Sequence, residues 1–231
     1  SDVYKRQVEV RMQSGEAMYT QSGGMVWMSE GIKMDTNTNG GVLKGFTRKF
    51  AGESMFMATY SATVDNATIA FASTVPGKIM PIDMVNGPMI CQKNAFLCAQ
   101  PSVTLNTIFN KKIGAGLFGG EGFILQELVG AGMAFLEVDG DVVVKDLQPG
   151  EVIKVDTGNV VAFSKGMNYE IERIKGLKNI FLGGEGLFLT KLTGPGRVIL
   201  QTQNMSEFAG RIAKYMVCLL YTSPSPRDMR R

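Results

Sequence analysis

Apolar residues along this chain fall in short runs, several of them alternating with polar positions, and Gly, Pro, Asn and Asp separate the runs. Val8–Met12, Met25–Met28, Met55–Val64, Phe123–Val129, Asp141–Leu147 and Arg197–Gln203 read as strands, because alternation puts every second side chain on one sheet face. Many short strands with frequent turns predict an all-β, sandwich-like or barrel-like class. One helix is predicted, near the C-terminus. Met205, Phe208, Ala209, Ile212 and Tyr215 recur at helical spacing, and Asn204 with Glu207 makes a capping box. Met18, Met25, Met28, Met34, Met55 and Met57 are expected to fill core gaps rather than to form an adaptable binding surface.

The clearest feature is internal repetition. Gly119-Gly120-Glu121-Gly122-Phe123-Ile124-Leu125 is echoed by Gly183-Gly184-Glu185-Gly186-Leu187-Phe188-Leu189, and more weakly by Ala51-Gly52-Glu53-Ser54-Met55-Phe56-Met57. A second box precedes each one: Ser14-Gly15-Glu16, Pro76-Gly77-Lys78 and Pro149-Gly150-Glu151. The same order three times predicts three β modules, at 8–66, 67–139 and 140–203, with the helix over 204–217. Gly52, Gly77, Gly120, Gly150 and Gly184 are read as turn residues, with Glu53, Glu121 and Glu185 available to bond nearby backbone N–H groups. A phosphate-cradling loop needs a Gly-rich turn feeding a helix N-terminus. Here a strand follows, and no Gly-Lys-Ser/Thr is present.

Composition narrows the chemistry. The 231 residues contain 28 Gly, 15 Met and 3 Cys but no His. Ser-His-Asp, Cys-His and His-metal chemistry are therefore excluded. Ser1–Gln7 reads as the translation of a transposon-based sequencing adapter, and Cys218–Asp228 as the reverse complement of its partner, with 229–231 following from the index. Segments 1–7 and 218–231 are thus expected to be foreign to the natural chain. That chain is expected to begin further upstream. Setting aside Lys5, Arg6, Arg227, Arg230, Arg231, Asp2 and Asp228 leaves 19 of the 24 basic and 19 of the 21 acidic residues. The formal charge of +3 then becomes zero, which removes a basic-protein argument for nucleic acid. Cys91 and Cys98 are expected to be buried free thiols in a reducing compartment.

Taken together, the run 114–126, the run 183–189, Gly52–Met57, Pro76–Asp83, Lys154–Gly158 and Leu192–Gly196 resemble the altered inheritance of mitochondria (member twenty-four) family. The resemblance spans nearly all of 8–217. It implies a fold similar to the tryptophan RNA-binding attenuator, with three tandem β-sandwich-like modules about a pseudo-threefold axis. It carries no accepted catalytic residue. Mitochondrial members are linked to inner-membrane organisation; a location in the cytoplasm or peripheral to the inner membrane is expected. Ser54 in place of Gly, and Ser14 in place of Pro, are departures from the pattern.

Asp139 with Asp141, and Glu121 with Glu127, are the carboxylate pairs available for acid–base work, but solvated turn and strand-face roles are expected of them. No enzyme, metal or cofactor is expected. Basic residues with apolar neighbours lead into each Gly-Glu box. They are Lys44, Phe46, Arg48, Lys49 and Phe50; then Lys111, Lys112, Ile113, Leu117 and Phe118; then Lys175, Leu177, Lys178, Ile180 and Phe181. The expected role is that of an interaction or scaffold protein docking these segments on a protein partner or an anionic membrane. A small-ligand or RNA binder using the same fold is the other reading. A single Trp and zero trimmed charge weigh against RNA. Self-association is open to a β protein with edges to cover.

Overall fold

A computed structural model describes residues 2–3, 6–21, 23–36, 57–108, 124–173 and 188–216. Among the described residues the protein is all-β apart from short 3₁₀ turns and one helix. A two-residue strand β1 (Asp2–Val3) pairs with the first strand of the first module. That module holds β2 (Gln7–Met12), β3 (Ala17–Gln21), β4 (Met25–Met28), β5 (Ile32–Thr36), β6 (Met57–Ala62) and β7 (Ala67–Ala72). The second holds β8 (Gly77–Asp83), β9 (Met89–Gln92), β10 (Phe96–Ala99), β11 (Val103–Ile108), β12 (Leu125–Gly130) and β13 (Met133–Asp139). The third holds β14 (Val142–Leu147), β15 (Val152–Asp156), β16 (Val160–Ser164), β17 (Asn168–Arg173), β18 (Phe188–Thr193) and β19 (Gly196–Gln201), and α1 (Met205–Met216) follows.

The repetition in the sequence is a repetition of pairing. In every module the first strand pairs with the sixth, the sixth with the third, the second with the fifth, and the fifth with the fourth. Each third strand also breaks register against its sixth at one place: Met25/Trp27, Phe96/Cys98 and Val160/Ala162. A bulge kept in three copies makes the residue equivalences unambiguous. Trp27, Cys98 and Ala162 correspond, as do Met28, Ala99 and Phe163. Strand β7, which the sequence repeat assigns to the second module, pairs with β2 and β4 and so completes the first.

Modules join through one kind of contact. The second strand of a module pairs antiparallel with the third strand of the next: β3 with β10 (Cys98↔Thr20, Ala99↔Tyr19) and β9 with β16 (Ala162↔Cys91, Phe163↔Ile90, Ser164↔Met89). These contacts fuse half-sheets into two six-stranded sheets. A closed threefold arrangement would need a third such contact, between β15 and β4. Among the described residues that pairing is not made, and each of these strands is the edge of its sheet.

Core packing follows the junctions. Central strands covered on both faces read as continuous apolar runs, so β10 and the first four residues of β16 are buried. Strands with one wet face alternate, as in β18, where Phe188, Thr190 and Leu192 point inward. The central core contains Leu105, Leu128, Leu136 and Val161, with Tyr19 and Met57 of the first module packed against it. Across the first junction, Tyr19 stacks on Phe96 with ring centroids 5.5 Å apart, and its hydroxyl donates to Val103 O at 2.9 Å.

Candidate functional site

Two carboxylates of β13 occupy structural positions where connections cross. Glu137 and Asp139 share one face of β13. Glu137 Oε2 accepts from Ser73 Oγ and Thr74 N at 3.0 Å, which fastens the connection between the first two modules. Asp139 Oδ2 accepts from Met205 N at 3.2 Å and so helps hold the start of α1, where the sequence places the Asn204–Glu207 capping box. Asp141 receives Lys78 Nζ at 2.5 Å, and Glu127 pairs with Lys165 at 2.5 Å. Glu121 lies outside the described residues. Sequence reasoning passed over Glu137, since nothing in its strand distinguishes it from a solvated residue.

Burial raises the Glu137 carboxyl above its ordinary value of 4.5, against hydrogen bonds from Thr74 and Ser73 that lower it and a nearby Asp139 charge that raises it further. Asp139 is likewise raised, by burial. A carboxyl raised on folding binds its proton more readily in the native state. Stability is therefore lost as pH climbs from 4.5 through the folded value. Glu137→Gln keeps an oxygen for Ser73 and Thr74 but cannot ionise. Urea unfolding should show wild type losing ground to this variant between acid and neutral pH. A difference that stays constant across that window would contradict the assignment.

The thiols of Cys91 and Cys98 are buried and unlinked, with burial pushing Cys91 up to about 12 and Cys98 well upward. Such thiols pack as small apolar groups and are poor nucleophiles.

The turn residues divide. Gly150 has φ +79° in a turn where Glu151 Oε2 accepts from Gln148 N at 2.8 Å. Glu16 makes the matching bond to Gln13 N at 2.7 Å, beside Gly15 at φ +90°. These two boxes are true equivalents, both linking first to second strand. Pro76-Gly77-Lys78 is not their counterpart and corrects the second-box alignment: Gly77 opens β8, one strand earlier. The counterpart in the central module is Gly87, with φ +104°. Gly52, Glu53, Gly120, Glu121, Gly184 and Glu185 lie outside the described residues.

Every residue of the proposed docking segments also lies outside them: Lys44, Arg48, Lys49, Phe50, Lys111, Lys112, Leu117, Phe118, Lys178 and Phe181. The strands that bracket the segments are described, and they are equivalent. The segments join β5 to β6, β11 to β12 and β17 to β18, and the last paired residues are Thr36↔Ala58, Ile108↔Leu125 and Arg173↔Phe188. All three thus leave from the fourth-to-fifth-strand hairpin of their module.

Exposed apolar residues collect elsewhere, on the unpaired edges. Val26, Trp27 and Met28 of β4 are exposed, as is Val152 of β15. Met18 is buried as the core reading expects, and Met25 and Met57 are partly so. Met28 and Met34, in contrast, face solvent, because their strands lack the neighbours that would cover them. Met55 is outside the described residues. On α1, Phe208, Ile212 and Tyr215 form an exposed apolar stripe. No helix among the described residues is long and apolar enough to cross a membrane.

This chain is 29% identical over 217 residues to an uncharacterized protein of Streptococcus pyogenes serotype M6, across 90% of this chain and 86% of that one. A crystal structure of a Streptococcus pyogenes protein from a structural genomics programme matches with a TM-score of 0.72 at 25% identity, covering 93% of this chain and 97% of that one. The profile of the Mitochondrial biogenesis AIM24 family matches residues 3–203, and the chain belongs to that family.

Proposed function

We propose that the protein is a non-catalytic interaction module that docks on an anionic membrane surface through its three basic–apolar connections. The observation that carries this reading is their common origin. Three segments that each carry Lys and Phe, the first with Arg48 as well, leave the same hairpin of three repeated modules. Lysines near an anionic leaflet each contribute about 1 kcal/mol, and phenylalanines add apolar insertion. Three modest contacts on one framework combine, since binding of the first raises the effective concentration of the others. The carboxylates of β13 support the non-catalytic side of the reading, because one oxygen of Glu137 holds a connection and one of Asp139 holds a helix end.

Vesicle flotation tests it. RNA-free protein should float with phosphatidylserine-containing vesicles and not with phosphatidylcholine alone, and added salt should weaken the binding. Changing Lys111 and Lys112 to Ala together with Phe118→Ser should lower vesicle affinity by about thirtyfold or more, from about 2 kcal/mol for the two charges alone. A folded protein that stays at the bottom of the gradient with both vesicle types would end the membrane reading and turn the search to protein partners.

A further inference from the structure

We propose that copies of this chain assemble head to tail, with β4 of one copy adding to β15 of the next. The inference concerns the sheet edges and stands independently of the docking segments. Each internal junction pairs a second strand with the following module's third strand. Among the described residues the series of modules therefore ends in an unmatched third strand, β4, and an unmatched second strand, β15. These are the two halves of the junction that the chain already builds twice. An exposed edge is a template for strand addition unless it is blunted, and the partner that fits both ends is another copy.

The repeat equivalences set the register. Cys98↔Thr20 and Ala162↔Cys91 correspond to Trp27↔Val155; Ala99↔Tyr19 and Phe163↔Ile90 correspond to Met28↔Lys154. Ser164↔Met89 corresponds to Ser29↔Ile153. On the third strand, positions 26–28, 97–99 and 161–163 are apolar whether or not a neighbour is present. Leu97 and Val161 are 3% and 1% exposed within junctions, while their equivalent Val26 is 56% exposed. Met28 is 40% exposed where Ala99 and Phe163 are fully buried. Lys154, the one charge in Val152–Val155, already pairs with Glu172 at 2.7 Å.

Charge supplies a separate argument. Lys165, just past β16, pairs with Glu127 of β12 across the second junction. The same two places at the open ends hold Glu30, just past β4, and Lys191 of β18. The junction pair is therefore present at the ends with its signs exchanged. Glu30 and Lys191, which within its own sheet lies 3.3 Å from Glu170, thus carry opposite charges at places that face each other in the proposed register. Such a contact is heterologous, and its rotation per copy decides between a ring and a fibre.

Sedimentation equilibrium and light scattering across about a thousandfold range of concentration test the assembly in the first instance. The expected result is mass rising above 25.1 kDa, in a fixed multiple or a growing series. Val26→Lys with Met28→Lys should return a folded monomer. Glu30→Lys and Lys191→Glu should each weaken association by about fivefold, and the two together should restore it. The register has its own check. In a Cys218→Ser background, Ser29→Cys protein mixed with Ile153→Cys protein should form a disulfide-linked dimer, and neither should do so alone. A chain that stays monomeric throughout, an assembly untouched by the β4 changes, or cross-linking that ignores the pairing would each overturn the proposal.

Discussion

Replacing Gly77 by Ala should cost about 3 kcal/mol and lower the melting temperature by about 6–12 °C. A Cβ on Gly77 would lie 1.9 Å from the carbonyl oxygen of Val138 and 3.1 Å from Gly140 N. Both obstacles are backbone, so no rotamer change relieves them. The position is where the two intermodule connections pass each other: Gly140 N donates to Pro76 O at 3.0 Å, and Gly77 itself is paired with Asp139. Relief requires the start of β8 to move off β13, which is the seam of the central module. Gly150→Ala is the matching control. Its Cβ would meet nothing within 4 Å, but φ is +79°, so the expected cost is only the left-handed strain of about 1–2 kcal/mol. Gly150→Asn should cost less still, since Asn tolerates that region. Thermal unfolding of the three variants decides it. Equal losses at 77 and 150 would mean that the close approach at Gly77 does not constrain the fold.

The two glycines show what was legible in the sequence and what was not. Both sit in a Pro-Gly pair before an apolar run, and spacing alone makes them equivalent. Three dimensions separate them, one needing absence of volume and the other needing conformation. The strands themselves were readable, because alternation and turn residues are local properties. Predicted Val8–Met12 is observed as Gln7–Met12, and predicted Asp141–Leu147 as Val142–Leu147. The helix was readable from its spacing, though its start is held by Asp139, sixty-six positions away in sequence. Long-range bonds leave no local mark.

The exposed edges were invisible for a related reason. Val26, Trp27 and Met28 have the composition of the buried strands β10 and β16, so their sequence predicts burial. Only the order of strands reveals that the neighbour is missing. For Glu137, likewise, burial comes from the connection at Ser73 and Thr74, not from its own strand. The segments 37–56, 109–123 and 174–187 remain legible in composition alone, and their equivalence rests on the hairpins that bracket them.

The central claim is that three copies of one module are joined by two strand-pairing junctions, with β4 and β15 left as open edges among the described residues. Amide hydrogen exchange, resolved residue by residue, tests it most directly. In β10 and β16 both sets of backbone groups are engaged, by the sixth strand on one side and the preceding module on the other. Their exchange should require large-scale opening, with rates slowed about ten-thousandfold or more for a stability of 5–15 kcal/mol. In β4 and β15, among the described residues, only the groups facing β7 and β18 are bonded. At concentrations where the chain is monomeric, the outward amides of these two strands should exchange within about a hundredfold of the free-peptide rate. At higher concentration the head-to-tail contact should slow them. Outward amides of β4 and β15 as protected in dilute monomer as those of β10 and β16 would contradict the account, because the third junction would then be closed within one chain.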